Sequence, residues 1–221
     1  MLALAALAVV LPGTTSAHDL YTAFIQHRVQ LEVGAQHIDL TLDLTFFEEW
    51  SSRERRRMDA DADGRITRAE IEGYLRKHAP ALAKQVRLLV GGREVPLAEL
   101  YEPEVDLLGS DQAGPAHHRL RLFFFAATPS ALRGTNNLEI EERLWPDAKA
   151  LLTLQAEGHD GCRLEAEKLA DPSLPPAQPD EARVFKVHCL KPPKAQPETQ
   201  RSARSGPTNA NSLPTSTPPR P

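Results

Sequence analysis

Residues 59–70 read DADADGRITRAE and place carboxylates at Asp59, Asp61, Asp63 and Glu70. Acids packed this closely repel one another unless a cation sits among them. A hard divalent cation takes six to eight oxygens at about 2.3–2.6 Å from a chain that wraps around it. The loop that does so has side-chain oxygens at positions 1, 3 and 5 and glycine at 6. It adds a backbone carbonyl at 7, a hydroxyl or water-mediated contact at 9 and a bidentate Glu at 12. Here these positions are Asp59, Asp61, Asp63, Gly64, Arg65 through its carbonyl, Thr67 and Glu70. Gly64 permits a positive φ. Ile66 at position 8 is apolar, as a short strand needs if it links two loops or seals one against a core. The expected ion is Ca2+; the alternative is a metal-free acidic loop.

The stretch resembles an EF-hand loop at all twelve positions, and Ile71, Tyr74 and Leu75 resemble the exiting helix of that motif. The entering helix departs from it. Met58, Arg55, Glu54 and Ser51 stand where the family usually places apolar residues, and only Met58 fits. Sensor hands come in pairs and expose an apolar groove when calcium binds. No second loop is visible, since Glu104–Asp111, EVDLLGSD, lacks the spacing. The basic run at Arg53, Arg55, Arg56 and Arg57 reads as counter-charge to the acidic loop. With Arg65 and Arg68 it should weaken binding toward the extracellular class, a Kd of roughly 10⁻⁴–10⁻³ M. A lone loop of this kind is therefore expected to hold calcium as a structural clip rather than as a sensor.

A second resemblance covers roughly His18 to Leu100. Two alternating strands, a calcium-type loop with helices and a strand near Val86 are similar to the extracytoplasmic N-terminal domain of HupE/UreJ-type membrane proteins. That family is linked to metal uptake for hydrogenase and urease maturation. This sequence shows none of its transmembrane helices, so no transport by this chain alone is expected.

Two other constellations could do chemistry. After signal cleavage His18 would be N-terminal, and a terminal amine with its own imidazole chelates copper. His117 or His118 would complete such a brace. The rival function is therefore a periplasmic copper or nickel carrier. Gly158-His159-Asp160-Gly161-Cys162 offers a thiol near a base, but the glycines argue for a tight turn. An even cysteine count in an exported chain favours a disulfide between Cys162 and Cys189, against two separate buried thiols. No phosphate-cradling loop, nucleophile elbow or HExxH zinc motif is present, and no enzymatic activity is expected.

These residues need elements to hold them. Met1–Ala17 reads as a signal peptide, with the apolar run Leu2–Leu11 too short to span a bilayer. The expected location is periplasmic or extracellular. Lys191–Pro221 is rich in Pro, Ser, Thr and Asn and reads as a disordered tail. Residues 18–190 form one domain. Ile25 to Val33 and Ile38 to Phe46 alternate with polar residues around Gly34-Ala35-Gln36, a hairpin. Further strands are expected at Val86–Val90, Leu120–Phe125, Leu138–Leu144 after an Asn136-Asn137 turn, Leu151–Ala156 and Val184–Leu190, with a loop at Asp171–Asp180. Residues 47–80 form a helix–loop–helix insertion that Pro80 limits or breaks. The expected fold is an antiparallel β-sandwich. With a net charge of −4 and no basic stripe, nucleic acid is not a partner. The expected partner is a protein or envelope component. No transmembrane segment should remain after signal cleavage, and the chain should be a monomer or weak dimer.

Overall fold

The computed structural model describes residues 24–129, 132, 137–169, 182–192 and 194. The signal segment, His18, Asn136, the 171–180 loop and nearly all of the tail lie outside the described residues.

The hairpin forms as the alternation requires. β1 (Phe24–Val33) pairs antiparallel with β2 (His37–Phe46), from Ile25 opposite Phe46 to Val33 opposite Ile38. One face of each strand is buried, so a one-residue slip would turn the whole apolar set to solvent. Two helices follow, α1 (Glu48–Met58) and α2 (Arg68–Ala83). Pro80 lies inside α2 and does not end it. The proline removes one helical hydrogen bond near the end of the helix, which stops one turn later at Ala83. β3 begins at Val86 and runs to Val90.

The remaining strands are β4 (Arg93–Val95), β5 (Ala98–Glu99), β6 (Glu104–Asp106), β7 (His118–Ala127), β8 (Asn137–Glu142), β9 (Lys149–Gly158), β10 (Arg163–Ala166) and β11 (Arg183–Lys191). They build two sheets. One has the order β5-β7-β2-β1-β9, with β6 also on β7; the other has the order β10-β11-β8-β3-β4. Their inner faces share a core that includes Ile25, Leu42 and Phe46 from the first sheet and Leu88, Ile140 and Phe185 from the second. Fully burying a side chain of this size contributes about 1.5–3 kcal/mol. The chain is thus a mainly β, two-sheet sandwich carrying a helical insertion. One pair departs from the antiparallel expectation: β1 and β9 run parallel. No helix among the described residues is long and apolar enough to cross a membrane.

The core also holds a buried polar group. His27 Nδ1 lies 3.0 Å from Glu142 Oε1, and both side chains are fully buried. Arg183 Nη1 donates to the same oxygen at 3.2 Å. Arg183 also donates to the carbonyls of Leu144, Trp145 and Ala148. It thereby ties the β8–β9 turn to the sheet. Burial acts to raise the Glu142 carboxyl, but His27 first, then Arg183 and the Leu144 amide, hold it below the usual carboxylate range.

Candidate metal centre

The loop lies between α1 and α2, and its conformation follows from its residues. Ala62 and Gly64 both have positive φ, 59° and 87°. Only glycine does this without strain. Each aspartate turns back on the chain. Gly64 N–H donates to Asp59 Oδ2 at 3.0 Å, Asp63 N–H to Asp61 Oδ1 at 3.1 Å and Arg65 N–H to Asp63 Oδ1 at 2.8 Å. The result gathers one carboxylate oxygen from each of Asp59, Asp61 and Asp63 within 4.8 Å of one another. Asp59 Oδ1 is buried and has no hydrogen-bond partner. A buried charged oxygen left in that state is costly.

Thr67 and Glu70 behave differently. They form a capping box at the start of α2: Glu70 N–H donates to Thr67 Oγ1, and Thr67 N–H donates to Glu70 Oε2 at 2.8 Å. Glu70 Oε1 accepts from Ala60 N–H at 2.7 Å, which closes the loop on itself. These bonds, those from Thr67 first, hold the Glu70 carboxyl below its ordinary range. The aspartates are therefore clustered, while Glu70 and Thr67 are engaged with the backbone.

The loop has a partner from its own chain. Ile66 N–H donates to Asp111 O at 2.6 Å, and Ala113 N–H donates to Gly64 O at 2.9 Å. Arg65 and Gln112 form an antiparallel bridge. Position 8 thus makes the strand contact that a second loop would otherwise supply. The Ile66 side chain packs in a small cluster with Met58, Tyr74 and Ala113. The Arg65 guanidinium pairs with Asp111, Nε to Oδ2 at 3.2 Å, and holds that carboxyl below its usual range.

α1 explains how residues 107–117 are held there. Ser51, Glu54, Arg55 and Met58 share one helical face, and all are buried. Their spacing is that of an apolar stripe, but three of the four are polar. Arg55 is fully buried. Its Nε donates to Gln112 O at 2.8 Å, Nη1 to Leu107 O at 3.2 Å and His117 O at 3.1 Å, and Nη2 to Ser110 O. One guanidinium therefore satisfies four carbonyls of the segment that pairs with the loop. Glu54 accepts from Tyr74 Oη at 2.8 Å, Trp145 Nε1 at 3.2 Å and Arg57 Nη1 at 2.9 Å. The basic run is thus not simply counter-charge for the acidic loop, because helical periodicity sends Arg55 inward and Arg57 to Glu54.

Ser51 Oγ lies 2.6 Å from His118 Nδ1. A hydroxyl against an imidazole is the geometry of an activated nucleophile. Here the two residues are 0% and 1% exposed, so they present no surface to a substrate. His118 stacks on Phe46, with ring centroids 4.4 Å apart. Burial, with Arg55 nearby, pushes its pKa down to about 3. It is a core residue and not open to a copper ion. His117 is exposed and sits edge-on to Phe47.

Cys162 follows a tight turn in which Asp160 and Gly161 have positive φ. Gly158 allows the close return, since a Cβ there would stand 2.6 Å from Cys162 O. Cys162 and Cys189 are both buried, and their thiols are in hydrogen-bond contact. The expected disulfide is not formed; both are free thiols, and burial first, then Cys189, pushes the Cys162 pKa up to about 12. They are neighbours rather than separate buried thiols.

Sequence reasoning found the aspartates from their spacing but passed over Asp111–Ala113, of which only Asp111 falls in the Glu104–Asp111 stretch rejected as a second calcium loop. The signal was the set of polar residues at stripe positions of α1, which marks a helix whose buried face is held by hydrogen bonds rather than by apolar packing. The chain matches no known protein-family profile and no curated protein.

Proposed function

We propose that residues 59–70 bind a calcium ion, and that the ion is a structural clip fastening the helical insertion to the sandwich. The observation that carries this reading is Asp59 Oδ1, a buried carboxylate oxygen with no partner, beside Asp61 and Asp63. A cation offsets the mutual repulsion of the three carboxylates. Asp59, Asp61 and Asp63 would hold it through side chains and Arg65 through its carbonyl. Thr67 would contribute directly or through water, and Glu70 after releasing its bonds to Thr67 and Ala60. The EF-hand resemblance supports the same residues.

A clip fits better than a sensor. Glu54 and Arg55 anchor α1 by buried hydrogen bonds to α2, the β8–β9 turn and residues 107–117. Opening the helix pair would leave these groups unpaired, at about 1–3 kcal/mol each. The same reading makes the protein an exported one that contacts a protein or envelope component in a calcium-rich compartment, without enzymatic activity of its own.

Titration calorimetry of the chelator-treated protein with calcium, and with magnesium as control, tests the reading. Calcium-specific binding in the weak extracellular class that Asp59→Asn abolishes supports it. Absence of binding up to about 5 mM, several times the upper Kd of that class, refutes it.

A further inference from the structure

An outermost strand offers unpaired N–H and C=O groups to any strand that approaches, and β-proteins usually blunt such edges. Four of the five outer strands described here are blunted, among them β6, which has three residues and carries Glu104 and Asp106. β4 has three residues and opens with Arg93-Glu94. β5 has two residues. β10 has four, and its pairing with β11 shifts register between Arg163 and Leu164.

β9 is neither short nor irregular, although β10, which follows it through the turn at residues 159–162, lies against it. β9 runs for ten residues and pairs with β1 without a break, from Lys149 opposite Phe24 to Gly158 opposite Val33. Among the described residues no strand pairs with its other side. Its central stretch, Ala150 to Ala156 (ALLTLQA), contains no charge, proline or glycine. Leu151, Leu152 and Leu154 are only half-buried.

We propose that this edge is a self-association surface, on which β9 pairs antiparallel with β9 of a second copy about a two-fold axis at Thr153. In that register Lys149 of each copy stands opposite Glu157 of the other. Both side chains are exposed. Ala150 meets Ala156 and Leu152 meets Leu154, residues on the core-facing side of the strand, while Leu151 meets Gln155 on the outer side. Inward residues therefore face inward residues across the axis, as a continuous sheet requires. Neighbouring registers lose this match. A centre one residue earlier sets Lys149 against Gln155 and Glu157 against Asp147. One residue later sets Glu157 against Leu151. The contact is isologous and closes as a dimer. A strand-to-strand contact alone is small, so the dimer is a weak, concentration-dependent one.

Sedimentation of the full chain over a micromolar to millimolar range tests this. The expected result is monomer–dimer exchange that Lys149→Glu or Glu157→Lys alone weakens about tenfold, since each sets like charges opposite one another at two symmetric places. The double variant Lys149→Glu/Glu157→Lys restores it. Hydrogen exchange should show β9 amides gaining protection as concentration rises. Exclusively monomeric behaviour overturns the proposal, as does a double variant no better than the singles or protection confined to another surface. Asp59→Asn and chelator should leave association unchanged. A dimer lost with either would instead belong to the calcium loop.

Discussion

Ile66 donates its amide to the carbonyl of Asp111 at 2.6 Å, and Ala113 returns a bond to Gly64. This pairing gives the 59–70 loop a strand partner from its own chain. Calcium binding should therefore be felt at residues 111–113. Heteronuclear NMR should show the Ile66 and Ala113 amides shifting and becoming more protected when calcium is added. Ala113→Pro, which removes the donor to Gly64, should weaken calcium binding several-fold, about 1 kcal/mol for one hydrogen bond.

Thermal unfolding should rise with calcium. At 5 mM and a Kd of 10⁻⁴–10⁻³ M the linkage is about 1–2.5 kcal/mol, or a few degrees in Tm for a domain of this size. Asp59→Asn should remove the rise.

Glu70 has two roles that chelator separates. Without calcium, Glu70→Ala should cost about 1 kcal/mol, because the capping box and the bond to Ala60 are lost. Asp61→Asn, by contrast, should be neutral or stabilising in chelator, since it relieves repulsion within the aspartate cluster. Urea unfolding of both variants in chelator, then in calcium, is the check.

Arg55 should be among the most sensitive surface-to-core contacts. Arg55→Met leaves four carbonyls of residues 107–117 without their donor, at a cost of about 3–5 kcal/mol. Arg55→Lys cannot reproduce the planar fork and should recover only part of this. Chemical denaturation gives the loss, and limited proteolysis should cut first within residues 107–117.

Acid should destabilise the fold in two stages. His118 has its pKa pushed to about 3 in the folded state, so the unfolded chain takes up the proton first. Stability is full above the ordinary histidine value of about 6.5 and falls as pH drops from there toward 3. Between pH 7 and 5 the loss is about 2 kcal/mol. Glu142, held below the usual carboxylate range, adds a second loss as pH falls below about 4. Denaturation in chelator at pH 7 and 5 should show the first slope, and His118→Asn should flatten it.

The strands with clean alternation, β1, β2, β7 and β11, were legible because period-2 burial writes itself into local sequence. So was the gathering of Asp59, Asp61 and Asp63, whose spacing falls within five residues. β4, β5, β6 and β10 were not legible, because two to four residues cannot show a period. The inward face of α1 was misjudged for a different reason. Ser51, Glu54 and Arg55 look like surface residues until the carbonyls of residues 107–117 are brought to Ser51 and Arg55, and Tyr74 and Trp145 to Glu54, and that is a long-range fact. The parallel register of β9 is likewise a choice of partner that no local window contains.

That parallel pair has a consequence for how the chain comes together. β1 is among the first structured segments to emerge during synthesis, and its β9 neighbour is among the last. The hairpin of β1 and β2 can form early, yet one side of β1 has to wait for almost the entire domain. Ladders of such sequence separation close slowly, because loop entropy is lost before the contacts are gained. In the interval a ten-residue strand edge with one largely apolar face stands open, a hazard that a chaperone holding the chain extended until its C-terminal strands arrive would remove.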